Sequence, residues 1–110
     1  MLLSEKVRIE IFVPAPPHPI YSDLLEELAA ELSYTFGGST IISALGNYLS
    51  STGFILTDRI NILFSDASVA WARDRLALEQ YVDWVSRAVE PALEREEAVL
   101  ISVYPVYHGE

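Results

Sequence analysis

The clearest alternation of apolar and polar residues in the chain lies near its start. Between residues 6 and 13 every odd position is apolar, and a period of two is typical of a strand with one buried face. The pattern predicts a first strand from Lys6 to Val13, with Arg8, Glu10 and Phe12 on its second face. Four prolines follow before Tyr21 and predict a stiff connection that leaves the sheet.

Helical spacing replaces this alternation from Asp23 onward. Leucines and Phe36 recur three or four positions apart, which predicts an amphipathic helix. Asp23 and Glu26 resemble a capping box at its start. Gly37 or Gly38 supplies the left-handed residue that commonly ends a helix.

A second helical pattern follows a short segment that contains Trp71. Its apolar stripe, which we expect to face the sheet, consists of Leu78, Val82, Val85 and Val89. Pro91 cannot continue the hydrogen-bond ladder of a helix. The sequence leaves open whether the helix kinks there or ends, with Pro91 opening a further turn.

Three further apolar segments predict strands. The second strand covers Thr40 to Leu49 and the third covers Phe54 to Phe64, and a turn at Ser50 to Gly53 joins them into a hairpin. A fourth strand begins at Val99 and ends before the tail His108 to Glu110.

Strand parity predicts which face of the third strand the helices cover. Its even positions are apolar except for Asp58, so we expect them to face the helices. The surface turned away from the helices would then hold these residues of the first, third and fourth strands: Arg8, Glu10, Phe12, Thr57, Arg59, Asn61, Ser102 and Tyr104.

The order β-α-β-β-α-β predicts one α+β domain over residues 1–110. Two helices on one face of a four-stranded antiparallel sheet form the ferredoxin-like arrangement. Right-handed crossovers place the first and third strands at its centre. A chain of 110 residues, just over half of them apolar, is long enough for one hydrophobic core.

A spaced set of glycines and aromatics spans the end of the first helix and the hairpin. It consists of Phe36, Gly37, Gly38, Thr40, Gly46, Tyr48, Gly53 and Asp58. The set resembles the pattern F-G-G-x-T, then G-x-[Y/W], then G and an acid, of small bacterial domains of unknown function. The resemblance implies a ferredoxin-like fold and no particular activity.

The glycines of this pattern have structural explanations. Gly37 or Gly38 ends the helix, Gly46 allows a bulge or a close backbone approach, and Gly53 closes the hairpin. A Gly-Gly-Ser-Thr loop also suggests an anion cradle, but this one precedes a strand rather than a helix, so the phosphate-loop mechanism does not apply.

Charge and composition exclude several classes of function. Seven basic and sixteen acidic residues give a formal charge of −9, which repels nucleic acid and anionic membranes. No cysteine is present, and the first ten residues lack a secretory pattern. We therefore expect a cytoplasmic protein that binds neither nucleic acid nor membrane.

Candidate chemistry in the sequence is sparse. His18 and His108 have no partner at ligand spacing, so we expect no metal site and no cofactor. No nucleophile elbow is present, and the charges of the helices have the spacing of solvated pairs such as Asp83 with Arg87. Whether the protein is an enzyme stays open.

Two hypotheses use the predicted open sheet surface. The first is a non-catalytic binding or assembly module that forms a homodimer through this surface, to which Phe12, Leu63, Leu100, Tyr104 and Val106 add apolar area. The candidate interface or ligand residues are Arg8, Glu10, Phe12, Arg59, Asn61 and Tyr104.

The second hypothesis is a small-molecule site or an enzyme of the dimeric α+β barrel type. Arg59 would hold an anionic group in the cavity between paired sheets, while Tyr104 and Glu10 would supply hydrogen bonds or proton transfer. A cross-strand ion pair between Glu10 and Arg59 is the plain alternative. A third option is that the acidic helices dock a basic protein partner.

Overall fold

The computed structural model describes residues 2–15, 19–92 and 99–109. Within these ranges the elements follow the predicted order and confirm the ferredoxin-like α+β fold. They are β1 (Leu3–Pro14), α1 (Pro19–Phe36), β2 (Thr40–Leu49), β3 (Ile55–Ala67), α2 (Trp71–Val89), a 3₁₀ turn (Glu90–Ala92) and β4 (Leu100–Gly109).

The four strands form one antiparallel sheet. Their order is β2-β3-β1-β4, so β1 and β3 are central, as the right-handed crossover rule predicts. Each neighbouring pair runs antiparallel without a break in its register. Strands β2 and β4 are the two edges.

The core lies between the helices and one face of the sheet. It contains the four apolar residues predicted for the buried side of β1 and leucines and valines from both helices. The fully buried side chains with the largest volumes are Ile9, Ile11, Leu32, Leu63, Val7 and Val13. In α2, Leu78, Val85 and Val89 face this core, which confirms three of the four residues of the predicted stripe, and the fourth, Val82, is half-buried.

The first helix begins four residues earlier than predicted. Pro19 opens α1, because its fixed φ suits the first turn and its missing N–H has no helical partner there. Asp23 therefore lies in the second turn, and the predicted capping box with Glu26 is wrong. The strand before it is also longer, since Pro14 still belongs to β1. Pro16, Pro17 and His18 of the predicted connection lie outside the described residues.

The second helix begins at Trp71 itself rather than after it. Two carboxylates accept its first free N–H groups: Asp74 from Ala70 at 2.9 Å and Glu5 of β1 from Trp71 at 3.0 Å. The helix ends at Val89, and Pro91 lies in the 3₁₀ turn that follows. The helix therefore ends before Pro91 and does not kink there, which decides between the two alternatives that the sequence left open.

The glycine pattern has mixed outcomes. Gly37 has a φ of 94° and donates to Ser33 O at 2.9 Å, so it ends α1. Gly53 has a φ of 87° and closes the hairpin. Gly46 lies in a regular pair with Asp58, and an added Cβ would meet nothing closer than 4.0 Å. The bulge or close approach predicted at Gly46 is therefore wrong.

The predicted face of β3 is also wrong. Ile11 of β1 lies opposite Leu63, and Val13 lies opposite Asn61, so the odd positions of β3 share the side of the buried β1 residues. Leu63, Ser65 and Ala67 face the helices and are buried.

The physical reason is that the helices cover only one half of β3. Their cover reaches the end of the strand near Ala67, where small side chains let α1 approach closely. There Ser65 Oγ donates to Gly38 O at 2.5 Å. Residues 55–59 lie beyond this cover and are exposed on both faces, so their parity does not indicate the core.

Candidate functional site

The face of the sheet that points away from the helices is uncovered by the described residues, and we call it the open face. Strand register assigns twenty-two residues to it. They are Ser4, Lys6, Arg8, Glu10, Phe12 and Pro14 of β1, Thr40, Ile42, Ala44, Gly46 and Tyr48 of β2, Leu56, Asp58, Ile60, Ile62, Phe64 and Asp66 of β3, and Leu100, Ser102, Tyr104, Val106 and His108 of β4.

The structure brings together four of the six predicted site residues. Arg8, Glu10, Phe12 and Tyr104 share the open face, and Arg8 lies directly opposite Tyr104.

The other two predicted residues are on the helix side of β3. Arg59 and Asn61 face away from the open face, and Glu10 lies opposite Phe64 rather than Arg59. The predicted ion pair between Glu10 and Arg59 is therefore wrong. Leu63, which we expected to add apolar area to the open face, is buried under the helices. Both errors follow from the inverted parity of β3.

An apolar row crosses the open face from one edge to the other. Ile42 lies opposite Ile62, Ile62 opposite Phe12, and Phe12 opposite Leu100. Ile42 is 46% exposed and Leu100 is 60% exposed. Phe64 and Ile60 on β3 extend the row on both sides. The open face is thus more apolar than predicted, because the apolar positions of β3 belong to it.

A charged cluster lies beside this row. Arg8 donates two hydrogen bonds to Asp66, at 2.7 and 2.9 Å, and its guanidinium lies 4.2 Å from the centre of the Phe64 ring. His108 Nε2 lies 2.8 Å from the second Asp66 oxygen. Hydrogen bonding to Arg8 holds the pKa of Asp66 below its usual value, and His108 acts in the same direction.

This cluster predicts a pH dependence of stability. A carboxyl whose folded pKa is lowered contributes stability above its unfolded pKa of about 4, and that contribution is lost as the pH falls through the folded pKa. We expect Asp66→Asn to lower the free energy of unfolding by about 1 to 2 kcal/mol at pH 7. Urea titrations from pH 7 to pH 2 should show this difference from the unmodified chain shrinking in acid. A constant difference would contradict the assignment.

Elsewhere on the described part of the domain, two of the grooves contain polar or charged side chains near a sheet edge. One of about 410 Å³ runs between α2 and β4 and is lined by Leu78, Ile101 and Val103, with the guanidinium of Arg75 5.3 Å from the centre of the Trp71 ring. The other, of about 360 Å³, lies beside β2.

The second groove is where Arg59 and Asn61 lie, with Ser43 and Leu45. Asn61 Oδ1 accepts a hydrogen bond from Ser43 Oγ at 3.4 Å. The two residues that we predicted for the open face therefore meet β2 on the opposite side of the sheet, and they do not contribute to a site with Tyr104 or Glu10.

Tyr81 is a half-buried titratable group between the helices. Its ring makes an edge contact with Phe36, with centroids 5.2 Å apart, and its hydroxyl donates to Glu31 at 3.2 Å. Burial raises the pKa of Tyr81 to about 12. At neutral pH Tyr81 is thus a protonated packing residue and not a base.

Residues 2–15, 19–92 and 99–109 contain no group of three or more histidines and acids placed to hold a metal ion. None of the helices there has the length and apolar character needed to cross a membrane.

The remaining residues of the glycine pattern lie along the hairpin. Thr40 begins β2 opposite Phe64, and Tyr48 lies opposite Leu56. These positions place both residues on the uncovered side of the sheet.

The fold and this face define a ferredoxin-like α+β domain with an uncovered, largely apolar sheet surface. Comparison with family models, with curated proteins and with solved structures gave no match.

Proposed function

We propose that this chain is a non-catalytic binding or assembly module that works as a homodimer, with the open face of one copy packed on that of the other. The observation that supports the proposal most strongly is the apolar row Ile42, Ile62, Phe12 and Leu100, which crosses all four strands. Contiguous exposed apolar surface of this kind is typical of protein interfaces.

The dimensions of the open face suit a stable dimer. Four strands about 4.8 Å apart, each about ten residues long at about 3.3 Å per residue, outline roughly 600 Å² in projection. A standard specific interface buries about 800 Å² of accessible surface on each partner. Two such sheets pack about 10 Å apart, which suits side chains of the size of isoleucine and phenylalanine.

The charge distribution favours a second copy as the occupant. The chain has a formal charge of −9, yet the open face, within the described residues and apart from His108, holds only two bases and three acids. They are Lys6, Arg8, Glu10, Asp58 and Asp66. Arg8 already pairs with Asp66. Two copies can therefore meet through this nearly neutral face with little like-charge repulsion.

The alternative is a ligand-binding or barrel-type enzymatic pocket on the same face. It has less support, because the cationic side chain proposed for it is not on that face. Arg59 is on the other side of the sheet, and the guanidinium that replaces it on the open face, Arg8, is engaged by Asp66. Tyr104 and Glu10 still face the space between paired sheets. A binding role without catalysis thus has the stronger support.

We further propose that the protein is cytoplasmic and belongs with the small bacterial domains that have the F-G-G-x-T pattern. The positive φ angles of Gly37 and Gly53 support this assignment, because they give a physical reason for glycine at two of the spaced positions.

Light scattering over a wide range of protein concentrations tests the dimer. At low micromolar concentrations and above, we expect a molar mass of at least twice that of one chain. A buried apolar face of this size is consistent with such affinity. A mass of one chain throughout the range would overturn the proposal and leave the open face in solvent.

A further inference from the structure

Among the residues that the structure describes, no strand pairs with the outer edge of β2. Ser50 donates its N–H to Phe54 O across the hairpin at 2.8 Å. Since backbone groups alternate in an antiparallel ladder, even positions of β2 point to β3. The odd positions Ile41, Ser43, Leu45, Asn47 and Leu49 present their N–H and C=O groups outward.

The other edge of the sheet is protected in the usual way. Ala15 donates to Arg59 O, so odd positions of β1 point to β3 and even ones to β4. The register of β4 then turns its odd positions outward, and one of these is Pro105, which has no N–H. Proline and charge are the common means of blocking an edge, and β2 contains neither.

The sequence of β2 is self-complementary about Leu45. If two copies of β2 run antiparallel with Leu45 opposite its own counterpart, residues of like character face each other. The pairs are Ile41 with Leu49, Ile42 with Tyr48, Ser43 with Asn47, Ala44 with Gly46, and Leu45 with Leu45. Apolar residues meet apolar ones, the polar pair meets, and the two small residues meet.

The exposed side chains agree with this pairing. Leu45 is 66% exposed and Leu49 is 72% exposed, on the helix side of the sheet beyond the cover of the helices. Cross-strand contacts with a second β2 would bury both. No charged residue lies in β2, so the pairing places no like charges opposite one another.

We propose that β2 is a strand-addition edge for a second copy of this chain, with a two-fold axis at Leu45. The pairing joins two sheets into one of eight strands and keeps both open faces on the same side. Its axis is perpendicular to the sheet and hence to the axis of the face-to-face dimer. The two contacts close as a four-chain assembly where the two axes cross, with β2 pairing as the smaller and more concentration-dependent step.

Single cysteines test the register directly, because the chain has none of its own. Residues that exchange backbone hydrogen bonds across an antiparallel pair have Cα atoms about 5.5 Å apart, inside the disulfide window of about 4.4 to 6.8 Å. We expect Leu45→Cys to form covalent dimers under mild oxidation of the full chain, measured by non-reducing electrophoresis and mass spectrometry.

Ser43→Cys is the matched control. In the proposed register it lies opposite Asn47, so two copies of it are separated by four residues, about 13 Å along the strand, and should not cross-link. An equal mixture of Ser43→Cys and Asn47→Cys should give the mixed dimer. Absence of cross-linking at Leu45→Cys, or equal rates at Leu45→Cys and Ser43→Cys, would overturn the proposal.

Failure here is distinguishable from failure of the face-to-face dimer. Residues 43 and 45 point to the helix side, so open-face packing brings neither position close to its counterpart. Cross-linking of Leu45→Cys that persists when Ile62→Glu is added supports an independent edge contact. If light scattering gives the molar mass of two chains but no cross-link forms at residue 45, the edge contact is contradicted. The open-face proposal is unaffected by that result.

Discussion

Leu63→Ala should lower the free energy of unfolding by about 2 to 5 kcal/mol, the range measured when a buried leucine is truncated. Leu63 is fully buried and packs in the cluster formed by β1 and both helices. Truncation removes apolar contacts and leaves a cavity that rigid neighbours such as Ile11 and Leu32 fill poorly. Chemical denaturation of both proteins, monitored by circular dichroism, measures the difference.

Ile55→Ala is the matched control for this substitution. Ile55 lies on the same side of β3 as Leu63, but it is 73% exposed because it extends beyond the helices. Its truncation should change the free energy of unfolding by under about 0.5 kcal/mol. Equal effects at the two positions would mean that the helices cover the whole strand. A small effect at Leu63 would restore the face assignment that the sequence pattern favours.

The sequence predicts the fold well where one face of an element is fully covered. In β1 every second residue is buried from Val7 to Val13, so the alternation is unambiguous. The bounds of β2 also agree, because Gly38 and the Ser50 to Gly53 turn delimit it on both sides. Short-range patterns suffice for such elements.

Prediction failed at the start of α1 and at the face of β3. Helical spacing and the Asp23–Glu26 pair favoured a start at Asp23, whereas Pro19, four residues earlier, opens the helix. The face of β3 depends on its register with β1, about fifty residues away, and on where α1 ends. Ser65 and Ala67, the positions that α1 covers, are too small to signal burial by their own hydrophobicity.

The candidate site was only partly predicted, because its residues come from strands whose register is not visible in the sequence. Arg8, Glu10, Phe12 and Tyr104 were placed correctly by alternation within β1 and β4. Asp66 and His108 were missed, although Asp66 shares the parity of the apolar run in β3. Three strands bring this cluster together, and only the combined register places Asp66 opposite Arg8.

The corrected register also strengthens the argument for assembly. With its even positions on the open face, β3 contributes Ile60, Ile62 and Phe64 in place of Thr57, Arg59 and Asn61. A face that was expected to be mixed is therefore apolar along its central strand. Water-exposed sheets usually place polar residues there, so a cover for this face is the simplest physical explanation.

Ile62→Glu should dissociate the face-to-face dimer. Ile62 lies at the centre of the apolar row, between Ile42 and Phe12, so in a two-fold dimer each copy would bury an unpaired carboxylate against apolar side chains. Such burial costs several kcal/mol, and a cost of about 4 kcal/mol raises the dissociation constant about a thousandfold. Light scattering at matched concentrations should report a loss of mass to half that of the unmodified protein.

Arg59→Glu provides the control, because it introduces the same residue into the same strand on the opposite face. Arg59 is exposed beside β2 and does not contribute to the open face, so the face-to-face contact should survive with its affinity unchanged. Together, the two variants show which face of the sheet forms the interface. If Arg59→Glu dissociates the protein and Ile62→Glu does not, the helix side of the hairpin is the interface, and the open face has no part in holding the copies together.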